Sequence, residues 1–132
     1  MGSMSYRGIL LLLVGLLLTA CAAGHDRKLQ LDDTLRGYER TLRWDDIAKT
    51  AQFRRESGEV PDRSEFRGLR VTGYRVLNRK MEPDQTALTQ TVELTYFRED
   101  EAVERTVTDT QRWAYDPERK AWLLETPQPR FR

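Results

Sequence analysis

The pattern of hydrophobic and polar positions divides the chain into three parts. Residues 9–18 form an apolar run that follows a single charged side chain, Arg7. Residues 22–30 are small, polar and charged, and they show no apolar period. From Leu31 onward, apolar residues recur first at helical and then at strand spacing. The chain is therefore expected to hold a short N-terminal segment, a linker and one folded domain.

The folded domain opens with an amphipathic helix. Four apolar residues lie four, three and four positions apart: Leu31, Leu35, Tyr38 and Leu42. This spacing puts them on one face of a helix. Asp32 or Asp33 is expected to cap its N-terminus, because a carboxylate there accepts from free backbone N–H groups.

Two further short helices are expected after this one. The first begins at about Asp46 with Asp45 as its cap, although a single bent helix over 32–54 is an alternative. The second begins near Pro61, which needs no N–H partner in a first helical turn, and runs towards Phe66.

The period changes to two from Leu69 onward, which predicts four strands joined by short turns. The clearest strand alternates polar residues with four apolar ones: Leu88, Val92, Leu94 and Tyr96. A bulge is expected at Gly73, where the alternation of the first strand slips. Residues 121–124 form a short fourth strand. Helices followed by sequential strands predict an α+β fold, in which the helices pack on one face of an antiparallel meander sheet.

The apolar run ends in the motif Leu18-Thr19-Ala20-Cys21. It resembles the bacterial lipobox at all four positions, and the run is too short for a transmembrane helix of about 20 residues. The resemblance implies cleavage between Ala20 and Cys21, an S-diacylglycerol and an N-acyl group (such as palmitate) on Cys21, and a lipid anchor in the membrane. With Ala22 following, it implies the outer membrane, with the domain facing the periplasm.

The expected organisation is thus a signal peptide over 1–20, a flexible tether over 21–30 and a domain over 31–132. The charges, 22 basic against 21 acidic residues, exclude a strongly basic nucleic-acid binder. A single cysteine excludes a disulfide framework, and the single His25 lies in the tether, away from any triad in the domain. No metal or cofactor is expected.

The domain resembles the NTF2-like (cystatin-like) superfamily and proteobacterial outer-membrane lipoproteins of that fold. The resemblance rests on two or three helices, the break at Trp44-Asp45-Asp46, and the segments 109–116 and 121–124. It implies a curled four-stranded sheet that forms a cone. Members of the superfamily include isomerases, cyclases and dehydratases as well as non-catalytic binding modules, so the fold does not decide the function.

The third strand carries the candidate site. Alternation places Arg105, Asp109 and Gln111 on the same face as its apolar residues. A buried Asp109 would act as a base, with Tyr74 or Tyr96 as a proton donor. Two structural interpretations stay open: a bulge that flips the register midway, or an ion pair between Arg105 and Asp109.

The three tryptophans, Trp44, Trp113 and Trp122, are expected in the core, with Trp113 and Trp122 opposite each other in a hairpin. The leading hypothesis is a non-enzymatic lipoprotein domain that binds a partner protein or an apolar ligand near the membrane. The alternatives are a small-molecule isomerase or dehydratase that uses the cone, and an accessory subunit of an envelope assembly machine.

Overall fold

The computed structural model describes residues 6–55 and 62–132, with side chains from Ala22 onward. It contains a long helix α1 (Tyr6–Trp44), two 3₁₀ helices (Ile47–Phe53 and Arg63–Phe66) and four strands: β1 (Leu69–Met81), β2 (Ala87–Arg98), β3 (Glu104–Asp116) and β4 (Ala121–Leu124). The predicted α+β fold is confirmed. The lipobox side chains and Pro61 lie outside the described part.

The four strands form one antiparallel sheet in the order β1-β2-β3-β4. The pairing of β2 with β3 runs without a register shift from Ala87 to Phe97. In β1 the register shifts between Val71 and Gly73, as the sequence predicted, and shifts again between Val76 and Asn78. These two bulges bend the edge strand.

Helix α1 begins earlier than the sequence predicted. The apolar stripe of Leu31, Leu35, Tyr38 and Leu42 is buried, as expected. Asp32 and Asp33, however, lie inside the helix and do not cap it.

Residues 22–30 form part of α1, where a flexible tether was expected. Gln30 Nε2 donates to the backbone carbonyl of Lys120 at 2.6 Å, and Trp122 Nε1 donates to that of Arg27 at 2.9 Å. The segment is docked on the hairpin of β3 and β4 through polar contacts. Polar contacts of this kind produce no apolar periodicity in the sequence.

A short break at Asp45 and Asp46 separates α1 from the first 3₁₀ helix, so the single bent helix over 32–54 does not form. The cap is Asp46, whose Oδ1 accepts from the Ala48 N–H at 2.9 Å. Asp45 accepts instead from the Asp46 N–H at 2.8 Å and from Lys49 Nζ at 2.8 Å.

The core lies between α1 and the inner face of the sheet, and Trp113 is its largest fully buried side chain. Tyr38 meets Trp113 edge to face at a ring distance of 5.2 Å, and Phe53 meets Tyr38 in the same way at 5.5 Å. Such contacts stabilise beyond the area they bury.

The tryptophan prediction is correct for Trp113 and Trp122, which are buried, and wrong for Trp44, which is 77% exposed. Trp44 lies two positions beyond the last buried leucine of α1, off its apolar stripe, and the Arg43 guanidinium stacks on its ring at 5.2 Å. The hairpin register also differs from the prediction, because Trp122 lies opposite Tyr115.

Candidate functional site

The inner face of the sheet carries a group of polar side chains among its apolar ones. We call it the buried polar cluster: Tyr74, Gln90, Asp109, Gln111 and the indole N–H of Trp113. Gln90 and Gln111 face each other across β2 and β3 and are 1% and 0% exposed. Side chains two apart on a strand share a face, so uninterrupted alternation directs Asp109 and Gln111 into the core together with Trp113.

Gln111 is the centre of the cluster. Its Oε1 accepts from Gln90 Nε2 at 2.8 Å, from the Tyr74 hydroxyl at 3.1 Å and from Trp113 Nε1 at 3.2 Å. Its Nε2 donates to Asp109 Oδ2 at 2.7 Å. Three donors on one end and a carboxylate on the other fix the orientation of this amide.

Gln90 connects the cluster to the surface. Its Nε2 also donates to the Tyr74 hydroxyl at 3.1 Å, while its Oε1 accepts from the exposed Arg79 Nε at 3.1 Å. A chain of hydrogen bonds therefore runs from Asp109 through Gln111 and Gln90 to the edge strand.

Burial raises the pKa of the Asp109 carboxyl, against the hydrogen bond from Gln111 and the charge of Arg54, which both lower it. Burial also raises the pKa of the Tyr38 and Tyr74 hydroxyls. The Tyr38 hydroxyl is buried without a hydrogen-bond partner among the described residues. The cluster therefore favours neutral side chains.

The structure brings together three of the five predicted site residues, Asp109, Gln111 and Tyr74. Arg105 pairs with Glu101 and not with Asp109, so the predicted ion pair is wrong. The uninterrupted pairing of β2 with β3 likewise overturns the idea of a register flip.

Tyr96 lies apart from the cluster. Its hydroxyl donates to the backbone carbonyl of Arg132 at 2.6 Å and accepts from the Arg132 N–H at 3.1 Å. Its ring meets Phe131 edge to face at 5.0 Å. Tyr96 therefore holds the C-terminal segment on the sheet.

Sequence reasoning missed Gln90 as a member of the buried polar cluster, and Arg79 and Tyr38 as residues beside it. The alternation that identified Leu88 and Val92 also places Gln90 on the inner face, so that signal was present. Arg79 reaches the inner face only because the bulge at Leu77 shifts the alternation of β1 by one residue. The sequence pattern gives no sign of this bulge.

A surface cavity of about 180 Å³ lies elsewhere, between the break after α1 and the turn after β2. Two of the carboxylates that line it already have partners in the protein. Asp46 caps the first 3₁₀ helix, and Glu99 pairs with Arg70 at 2.8 Å. The cavity is thus a polar surface depression separate from the buried polar cluster.

In the described part of the chain, no three or more His, Cys, Asp or Glu side chains are grouped so that they could hold a metal ion. None of the described helices combines the length and the hydropathy that crossing a bilayer requires. The chain matches no protein-family model, no curated protein and no solved structure.

Proposed function

We propose that the chain is a lipoprotein, anchored in the outer membrane through Cys21, whose α+β domain is a non-enzymatic binding module facing the periplasm. The motif Leu18-Thr19-Ala20-Cys21 supports the anchor. Three acyl chains bind a bilayer firmly, whereas a single chain binds only marginally.

The observation that carries the non-enzymatic role is the arrangement of hydrogen bonds in the buried polar cluster. Gln111 directs both ends of its amide to side chains of the same domain, and one of them is the Asp109 carboxylate. A catalytic carboxylate must reach the proton it removes from a substrate. Asp109 is 5% exposed and lies under α1, which favours a structural role.

The docking of α1 supports a fixed presentation of the domain. Gly24 lies beside Gln85 of the β1–β2 turn, and Arg27 stacks on Tyr115 at 5.5 Å. At a helical rise of about 1.5 Å per residue, Trp44 lies roughly 35 Å along the axis from Cys21. An anchored domain would thus present the exposed Trp44 away from the lipid, and tryptophan is enriched at protein interfaces.

Metabolic labelling with an alkyne-bearing palmitate tests the anchor in growing bacteria. The wild-type chain and a His25→Ala control are expected to carry the label and to sediment with outer-membrane vesicles in a density gradient. The Cys21→Ser variant is expected to lose the label and the membrane association. Label and membrane association retained by Cys21→Ser would refute the anchor.

A second candidate, an isomerase or dehydratase with Asp109 as its base, is favoured by one observation. Burial raises the pKa of Asp109 towards the range in which a carboxylate is a more effective base.

Crosslinking and affinity capture from native envelopes distinguish a solitary binder from a subunit of an envelope machine. Urea unfolding of Asp109→Asn across the pH range tests whether burial raises the pKa of this carboxyl, on which the catalytic candidate depends.

A further inference from the structure

The second half of β1 is an open sheet edge. β1 pairs with β2 on one side, and on its other side the strand order has no neighbour within the described residues. Residues 75–80 are all exposed, and we call them the cationic edge. They include two apolar side chains that face solvent, Val76 (40% exposed) and Leu77 (50%). An open edge offers unpaired backbone N–H and C=O groups to an extended chain.

The charge of β1 is of one sign. Its thirteen residues contain four cations and no acid: Arg70, Arg75, Arg79 and Lys80. Arg70 pairs with Glu99 and Arg75 with Glu93, both at 2.8 Å. Among the ion pairs of the described residues, none joins Arg79 or Lys80 to a carboxylate. Positive charge is therefore concentrated at the C-terminal end of the edge.

We propose that the cationic edge binds an extended acidic peptide segment of a partner protein by strand addition. Backbone hydrogen bonds to β1 would supply affinity, and carboxylates attracted to the positive charge of Arg79 and Lys80 would supply specificity. The exposed Val76 and Leu77 would contact apolar residues that alternate with those carboxylates.

The same charges argue against a second copy of this chain as the occupant. Two β1 strands side by side would bring like charges together, which destabilises a sheet. The other edge strand, β4, has only four residues, and Leu124 is already bridged by Arg54. The geometry thus favours β1 and a partner of opposite charge.

This inference rests on the proposed binding role, and its test uses a defined probe. The probe is a fluorescein-labelled octapeptide that alternates glutamate and valine, compared with one in which lysine replaces every glutamate. Fluorescence anisotropy at low salt measures binding to the full-length chain in detergent micelles. Hydrogen exchange of the amides of residues 73–81 reports whether the peptide covers β1.

The acidic peptide is expected to bind and to slow exchange in β1, and the lysine peptide is expected not to bind. Lys80→Glu is expected to weaken binding by about fivefold to tenfold, because it replaces an attraction by a repulsion. The matched control Arg36→Glu makes the same change of charge on the exposed face of α1 and is expected to leave the affinity unchanged. Circular dichroism verifies that both variants fold.

Three results would overturn the inference. They are no binding of the acidic peptide by the wild-type chain, equal binding of both peptides, and slowed exchange that lies outside β1. Concentration-dependent dimerisation through residues 73–81 would also contradict it, because the occupant of the edge would then be a second copy of the chain and not an acidic peptide. None of these outcomes affects the palmitate labelling of Cys21, so the proposed anchor succeeds or fails separately.

Discussion

The indole N–H of Trp122 in β4 donates to the backbone carbonyl of Arg27 in α1 at 2.9 Å, and it joins residues that are 95 positions apart. Arg27 in turn places its guanidinium over the ring of Tyr115, the residue opposite Trp122 in the hairpin. The turn of α1 that contains Arg27 is therefore part of the folded domain, and the domain begins before residue 31.

Replacing Trp122 by phenylalanine removes this hydrogen bond and keeps most of the buried ring. Trp122→Phe is expected to lower the free energy of unfolding by about 1–3 kcal/mol, because the hydrogen bond to α1 is lost and the buried ring is smaller. Backbone amides of residues 22–30 are expected to exchange faster. Trp44→Phe, on an exposed tryptophan, is the control and should change neither. Unchanged exchange in residues 22–30 would mean that other contacts hold the helix.

The buried carboxyl of Asp109 gives a prediction of pH dependence. Its pKa is raised in the folded state by burial, so the folded protein holds this proton more tightly than the unfolded chain does. The protonated carboxyl contributes fully to stability below the pKa of about 4 that it has in the unfolded chain. This contribution is lost as the pH rises through the higher pKa of the folded state. Asp109→Asn stays neutral, so the stability of the variant relative to wild type should be higher at pH 7 than at pH 4.

Urea unfolding between pH 4 and pH 8 measures this difference, and Asp116→Asn provides a control of opposite sign. Hydrogen bonds from the Arg119 and Glu118 N–H groups lower the pKa of Asp116, so removing its charge should cost more stability at pH 7 than at pH 4. If Asp109→Asn followed the pH trend of the Asp116 variant, the carboxyl would be better solvated or paired than its burial indicates.

The strands were predictable because alternation reports burial directly. Leu88, Val92, Leu94 and Tyr96 are all buried, and the break in the pattern at Gly73 marks a true bulge. The position of Asp109 and Gln111 on the inner face followed from the same periodicity. A single register, without shifts between β2 and β3, made that inference hold along the whole strand.

The helical state of residues 22–30 was not predictable in this way, because they dock through a backbone carbonyl of Arg27 and the amide of Gln30. Polar docking contacts carry no period. The environment of Trp44 was missed for a related reason. Hydrophobicity alone favoured the core, whereas its position two residues after Leu42 turns it away from the buried stripe.

The hydrogen bonds of Gln111 predict a large effect of truncation. Gln111→Ala would leave the Tyr74 hydroxyl and the Trp113 indole N–H without their acceptor and Asp109 without its donor. A loss of about 3–5 kcal/mol is expected, because several buried polar groups would lose partners together. Thermal unfolding followed by near-ultraviolet circular dichroism measures this loss. The neighbouring exposed Thr110→Ala should change stability by less than about 0.5 kcal/mol, and similar effects of both variants would contradict the central role of Gln111.

Two glycine-to-alanine changes are expected to have opposite signs. At Gly73, a Cβ would lie 3.0 Å from both Cβ and Oγ1 of Thr95, which is closer than side chains normally approach. Thr95 is held on its other side by its pairing with Thr106, so Gly73→Ala should lower the free energy of unfolding by about 1–2 kcal/mol.

At Gly37 in α1, a Cβ would meet the Phe53 ring at an ordinary 3.6 Å. Gly37→Ala should therefore stabilise the protein by up to about 1 kcal/mol through helix propensity. Urea unfolding of the two variants and the wild type measures both changes in the free energy of unfolding. If both variants were stabilised, β1 would adapt to the added methyl group at its bulge. If both were destabilised, α1 would not tolerate the methyl group at position 37.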